Sequence, residues 1–230
     1  VTKGAFDVIN PLAYDKNNNQ VYFIASKENS TERYLYSSSV TGKGKVKKIT
    51  PENLDGVHSY SISTNAKYAL HSFSNYYTRP MRAVISLPKH NYINPEEDIL
   101  KKFDPEMKKH HPLEFFKITT VDDITIEGWI VKPNNMEPKK KYPVLFYFYS
   151  EPAAQTGLNR FGAGRNRLYD GNLSNDGYVY VTFDGRGTPA PKGRNWRKAI
   201  YKKIGQINVR DMAMGAKALF KKYSFIDTTR

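Results

Sequence analysis

Two apolar runs in the second half of the chain end on residues that could do chemistry. Tyr142–Tyr149 (YPVLFYFY) leads into Ser150-Glu151-Pro152, and Tyr178–Phe183 (YVYVTF) leads into Asp184-Gly185-Arg186-Gly187-Thr188. The carboxyl ends of strands are where open parallel sheets place their reactive groups. A tyrosine at such an end can aim its phenol O–H at a developing oxyanion as a preorganised donor. Read locally, Tyr149 is more simply an aromatic packing residue in a chain with 17 tyrosines. Arg186 offers a planar donor fork to a carboxylate or a cluster of carbonyls. Gly185 and Gly187 let the backbone turn sharply. The GxxxxGK[ST] and GxGxxG spacings of phosphate loops are absent, so this loop reads as architectural.

The rest of a hydrolytic apparatus is not visible. The five histidines (His58, His71, His90, His110, His111) all precede the half that carries these loops. No Gly-x-Ser-x-Gly elbow occurs, and beyond residue 141 the serines are Ser150, Ser174 and Ser224. A Ser–His–Asp triad therefore cannot be assembled in that half. His110-His111 lies in a Lys- and Pro-rich stretch and reads as solvated rather than as a metal site. The absence of cysteine excludes disulfides, thiolate zinc sites and cysteine nucleophiles. The net charge of +14 is spread over short lysine groups such as Lys47-Lys48, Lys139-Lys140-Lys141 and Lys202-Lys203. With no nucleic-acid motif beside them, these read as a solvated basic surface. No apolar stretch reaches the length of a membrane span, and no cofactor or metal is expected.

Three kinds of segment must position the candidate residues. Residues 1–88 alternate short β-branched and aromatic runs with turn clusters. The runs are Gln20–Ser26, Arg33–Val40, Val46–Thr50, His58–Ser63, Tyr68–Ser74 and Met81–Leu87. Their repeat at roughly 40–50 residues fits propeller blades, and a small sandwich fits the same pattern. Residues 89–112 carry Pro95, Pro105 and Pro112 among charges and read as an interdomain connection, with a short helix over Glu96–Phe103. Residues 113–230 begin with a hairpin, Leu113–Thr120 and Ile124–Lys132. They continue with the two buried strands, a crossover helix over Gly162–Asn172, and a helix carrying Val209, Met212, Ala216, Leu219 and Tyr223 at helical spacing. Asn208 is the expected cap of that last helix. This alternation describes a doubly wound sheet. No strand follows the last helix, so the natural protein is expected to continue.

The ordered set of segments resembles a known family. Tyr142–Pro152 is similar to the KYP-strand-YGxP segment of prolyl oligopeptidase-clan serine peptidases. Phe183–Thr188 resembles their (V/F)DxRGT/S segment, and Lys192–Asp211 resembles the stretch ending in LGxxxxxD. Phe225–Arg230 resembles the (Y/F)(I/V)DxxR that precedes the nucleophile elbow. Val1–Val8 (VTKGAFDV) is similar to the LTxGxWxV start of a late blade in the dipeptidyl peptidase IV branch. Ser150-Glu151 departs from the commoner Gly-Gly or Gly-Glu, and a serine there demands a backbone conformation that tolerates a side chain.

The resemblance implies a fold of β-propeller blades followed by part of an α/β-hydrolase domain, cut before the nucleophile. It implies a serine exopeptidase that removes N-terminal dipeptides, with Pro or Ala at the second position, by way of an acyl-enzyme. Tyr149 matches the tyrosine that completes the oxyanion hole. Glu151, Pro152, Asp184, Gly185, Arg186 and Gly187 fall in the loops around the active site. Peptides are the implied partners, a homodimer is compatible, and a periplasmic, secreted or membrane-anchored location is favoured over the cytoplasm. The 230-residue chain by itself is expected to be inactive and poorly folded, because inner strands of its parallel sheet would be open. The alternative is a propeller–hydrolase relative that has lost its nucleophile and serves in binding.

Overall fold

The short aromatic and β-branched runs of the first part form two antiparallel meanders. The computed structural model describes all residues except Val1, Lys3, Lys43, Gly44, Arg167, Leu168 and Arg230. Lys43 and Gly44, between the runs Arg33–Val40 and Val46–Thr50, and parts of the motifs at Val1–Val8 and Phe225–Arg230 thus lie outside the described residues. The chain divides into two compact units. The first comprises Val1–Lys109 with Asn159–Phe161 and Pro191–Arg194, and the second comprises the remainder.

In the first unit, β1 (Val8–Asp15), β2 (Gln20–Ala25), β3 (Tyr34–Ser39) and β4 (Lys47–Lys48) pair in sequence order. A second sheet repeats that order with β5 (Val57–Ile62), β6 (Tyr68–Ser74), β7 (Met81–Ser86) and β8 (Asn91–Tyr92). Each sheet is a four-stranded meander, the form of a propeller blade. Tyr22, Ile24, Leu35, Tyr60, Ala69 and Ile85 share one buried cluster.

The stretch with the prolines packs as part of this unit. β8 pairs with β7, and Ile99 is buried with Leu54, Phe73 and Ala83. The helix expected over Glu96–Phe103 is interrupted. A 3-10 turn, Pro95–Glu97, is capped by Asn94, and α1 (Ile99–Lys102) is capped afresh by the Asp98 carboxylate, which accepts from the Leu100 N–H. An aspartate at that position competes for the backbone and restarts the turn.

In the second unit, β9 (Leu113–Thr119) and β10 (Thr125–Val131) form the expected hairpin. β12 (Val179–Phe183) pairs antiparallel with β10, and β11 (Val144–Phe146) pairs parallel with β12. The order is β11-β12-β10-β9. The run Tyr142–Tyr149 thus makes a strand of three residues rather than eight.

The expected crossover helix over Gly162–Asn172 is replaced by turns among the described residues. Gly162 and Gly164 adopt φ of +87° and +81°, which a right-handed helix excludes. After α2 (Arg194–Lys198), α3 (Ile207–Lys222) lays Leu219 onto the core of Ile126, Ile130, Val179, Val181 and Phe183. The chain then returns beside β11. Ile226 forms a parallel bridge with Tyr142, with the Tyr142 N–H donating to the Phe225 carbonyl and the Asp227 N–H to the Tyr142 carbonyl. The segment after α3 thus pairs with Tyr142, just ahead of β11, where the sequence pattern suggested no partner. Among the described residues no helix is long and apolar enough to cross a membrane.

Candidate active site

The candidate residues sit on two loops at the carboxyl ends of β11 and β12. β12 pins the exit of β11. The Tyr147 N–H donates to the Val181 carbonyl at 2.9 Å, and Thr182 Oγ1 lies 2.6 Å from the Tyr147 carbonyl oxygen. Two residues later the Tyr149 side chain is 43% exposed, so it is not packed into the core. Its hydroxyl has no hydrogen-bond partner among the described residues.

Ser150 adopts a left-handed φ of +55°, a region where a residue with a Cβ is strained. This is how the loop accommodates a serine where glycine is commoner. The Ser150 Oγ is buried and unpartnered. Glu151 and Pro152 are exposed. Pro152 lines an open groove of about 350 Å³ together with Ile200, Tyr201, Ile204 and the cations Arg197, Lys198 and Lys202.

Asp184, at the end of β12, is buried and serves the neighbouring loop. Its Oδ1 accepts from the Thr156 N–H at 2.9 Å and from Thr156 Oγ1 at 3.1 Å, and its Oδ2 accepts from the Gly157 N–H at 2.8 Å. A carboxylate with three donors is well satisfied despite its burial. It therefore acts as a clasp on the chain that follows Tyr149.

Arg186 finds the carboxylate that its donor fork called for. Its Nε donates to Asp211 Oδ2 at 2.9 Å and its Nη2 to Asp211 Oδ1 at 2.6 Å, while its backbone N–H donates to Oδ2 at 2.8 Å. Asp211 is 1% exposed. Hydrogen bonding to this carboxylate raises the Arg186 pKa further. The pair ties the loop after β12 to the first turns of α3. Gly187 carries the chain through φ +95°, where a Cβ would meet the Ile200 side chain at 2.5 Å. Arg186 and Gly187 thus brace the loop that follows β12.

Sequence reasoning missed several residues. Thr156 and Thr182 carried no motif. Asn208 is not the cap of α3, because it lies inside the helix. Its Oδ1 accepts from the Gly205 N–H at 2.7 Å, and its Nδ2 donates to the Ser150 carbonyl at 3.2 Å. The LGxxxxxD resemblance pointed to Asp211 but to no partner for it. Among the described residues no group of three or more His, Asp or Glu is placed to hold a metal ion.

Comparison with known proteins agrees with this layout. Residues 1–80 match the family model "Dipeptidyl peptidase IV (DPP IV) N-terminal region", and residues 171–230 match the model "Prolyl oligopeptidase family". The whole chain is similar to two curated proteins called probable dipeptidyl-aminopeptidase B. One, from Botryotinia fuckeliana, is 36% identical, and one from Sclerotinia sclerotiorum is 35% identical. The chain spans 24% of the length of each. Among solved structures it is similar to Porphyromonas gingivalis dipeptidyl peptidase 4. The TM-score is 0.81 at 26% identity, over 100% of this chain and 31% of that one. The chain belongs to the dipeptidyl peptidase IV branch of the prolyl oligopeptidase family.

Proposed function

We propose that the complete protein containing this chain is a serine-type dipeptidyl peptidase, and that Tyr149 donates a hydrogen bond to the oxyanion. The observation that carries the reading is an exposed phenol with a free hydroxyl at the end of a pinned strand. The relatives named dipeptidyl-aminopeptidase support the reaction class.

In the reaction a serine hydroxyl, supplied from outside this chain, attacks the carbonyl that follows the second residue of the peptide. A histidine takes the serine proton, and the carbonyl oxygen gains the negative charge. The Tyr149 O–H meets that charge. The C–N bond then breaks, the histidine proton passes to the leaving amine, and water hydrolyses the acyl-enzyme. The preferred substrates are peptides with Pro or Ala at the second position. The 230 residues alone, lacking nucleophile and base in the second unit, hydrolyse nothing.

The test is Tyr149→Phe in the complete protein, assayed on an alanyl-proline or glycyl-proline reporter. Loss of one oxyanion donor lowers kcat by about 10²–10³-fold. The expected result is that loss with an unchanged melting temperature. An unaltered kcat removes Tyr149 from the mechanism.

A further inference from the structure

The geometry points to Asn208 as a positioning residue for Tyr149: its side-chain amide holds the Ser150 carbonyl and so sets the direction in which Tyr149 leaves β11. This rests on the reading of Tyr149 as the oxyanion donor and deepens it.

The loop needs such an anchor. Ser150 stands at φ +55°, and its hydroxyl is buried without a partner. Strained backbone persists only where its surroundings over-determine it. The Asn208 Nδ2 supplies a donor to the Ser150 carbonyl at 3.2 Å. The other end of the same amide accepts from the Gly205 N–H at 2.7 Å. Opposite partners at its two ends fix which atom is nitrogen and which is oxygen.

The anchor is itself rigid. Asn208 lies in the first turn of α3, three residues before Asp211, which Arg186 clamps through both carboxylate oxygens. One turn of helix thus holds the loop after β11 and the loop after β12 together. A small displacement of an oxyanion donor is enough to lower the rate strongly.

The decisive variant is Asn208→Asp in the complete protein. Aspartate keeps the shape and the acceptor for Gly205, and it suits a helix N-terminus. It loses the donor and sets a carboxylate oxygen against the Ser150 carbonyl. Backbone amide exchange over residues 149–155 is expected to accelerate about tenfold, with α3 still protected. The kcat on the dipeptide reporter is expected to fall about tenfold at constant KM, and the variant is expected to cause no further loss in a Tyr149→Phe background. Asn208→Ser, which shortens the reach without adding charge, is expected to reproduce both effects.

Unchanged exchange over 149–155 overturns the inference, whatever the kinetics. So does an equal loss of kcat in the Tyr149→Phe background. Faster exchange combined with a fully active Tyr149→Phe variant upholds the anchor and overturns the oxyanion reading instead.

Discussion

The first unit buries a cluster of imidazoles in one of its sheets, whereas the second gathers an arginine–aspartate pair and a buried aspartate where two of its strands stop. Between β5, β6 and the turn before β8, His58, His71 and His90 are all buried with Tyr60. The His71 and Tyr60 rings stack at 4.6 Å, and His90 meets His71 edge-on at 4.9 Å. The His58 Nε2 lies 2.9 Å from the Leu54 carbonyl, so it carries the proton. His58 Nδ1 therefore accepts from His71 Nε2 at 2.8 Å. That leaves the His71 Nδ1 lone pair without a partner. Desolvation lowers the pKa of all three rings, that of His90 to about 4. In the second unit the interior is Ile126, Ile130, Val179, Val181 and Phe183, and Asp184, Arg186 and Asp211 gather where the strands stop.

The strongly shifted histidines of the first unit lie in its core rather than in a cleft. Perturbed pKa values mark functional sites only when the groups also face a cleft. The histidines are neutral core residues: His58 and His71 hydrogen-bond each other, and His90 Nε2 lies 3.0 Å from the Tyr60 hydroxyl. At the strand ends, Asp184 and the Arg186–Asp211 pair instead shape the loops that follow β11 and β12.

The largest effect that separates the two regions is acid sensitivity. Unfolded histidines take up protons below about pH 6.5, whereas the folded ones do not until the pH is well below that. The unfolded state then binds more protons, so stability is full above about pH 7 and falls as the pH drops. Each ring contributes up to about 1.4 kcal/mol per pH unit, so three approach about 4 kcal/mol per unit. Amide exchange in β5–β7, corrected for intrinsic rates, is expected to show this slope between pH 6 and pH 5, and His71→Phe to reduce it by about a third. A flat profile would mean that these rings already titrate in the folded state.

Next in size is Arg186→Met, which leaves the Asp211 carboxylate buried and uncompensated. It is expected to cost about 3–5 kcal/mol, and Asp211→Leu added to it to recover most of that loss. Urea unfolding of the two variants checks this, and a cost below 1 kcal/mol would reduce the pair to a surface contact.

The smallest effect belongs to Ser150→Gly, which removes both a left-handed serine and an orphaned hydroxyl. It is expected to stabilise the protein by about 1 kcal/mol, seen as a melting temperature a few degrees higher. A lower melting temperature would show that the serine Cβ is needed in the loop.

Much of the fold was legible. Tyr68–Ser74 forms a strand with the bounds its pattern suggests, and β2, β5 and β7 differ from theirs by a residue or so. In each case neighbouring residues decide the outcome, through branched and aromatic side chains bounded by turn formers. The run Tyr142–Tyr149 misled twice: only Val144–Phe146 pair as a strand, and Leu145, Tyr147 and Tyr149 are exposed rather than buried, because an apolar run does not by itself say which faces are covered. The histidine cluster was missed because its members are far apart in sequence. It exists only because the register sets Tyr60 opposite His71 and His58 opposite Phe73.

Most of the strands and the last helix, the loops at the ends of two strands and the kinship to a peptidase family follow from residue types in order along the chain; the crossover helix expected over Gly162–Asn172 did not. Local propensity and alternation act over a few neighbours, so they survive in a linear reading. The tertiary structure alone decided that Arg186 clasps Asp211, that Asp184 holds Thr156 and Gly157, and that Asn208 reaches Ser150. Those contacts depend on strand register and on the path of the loops, which bring together residues far apart in the chain, and a one-residue slip of β12 would turn its side chains to the opposite face.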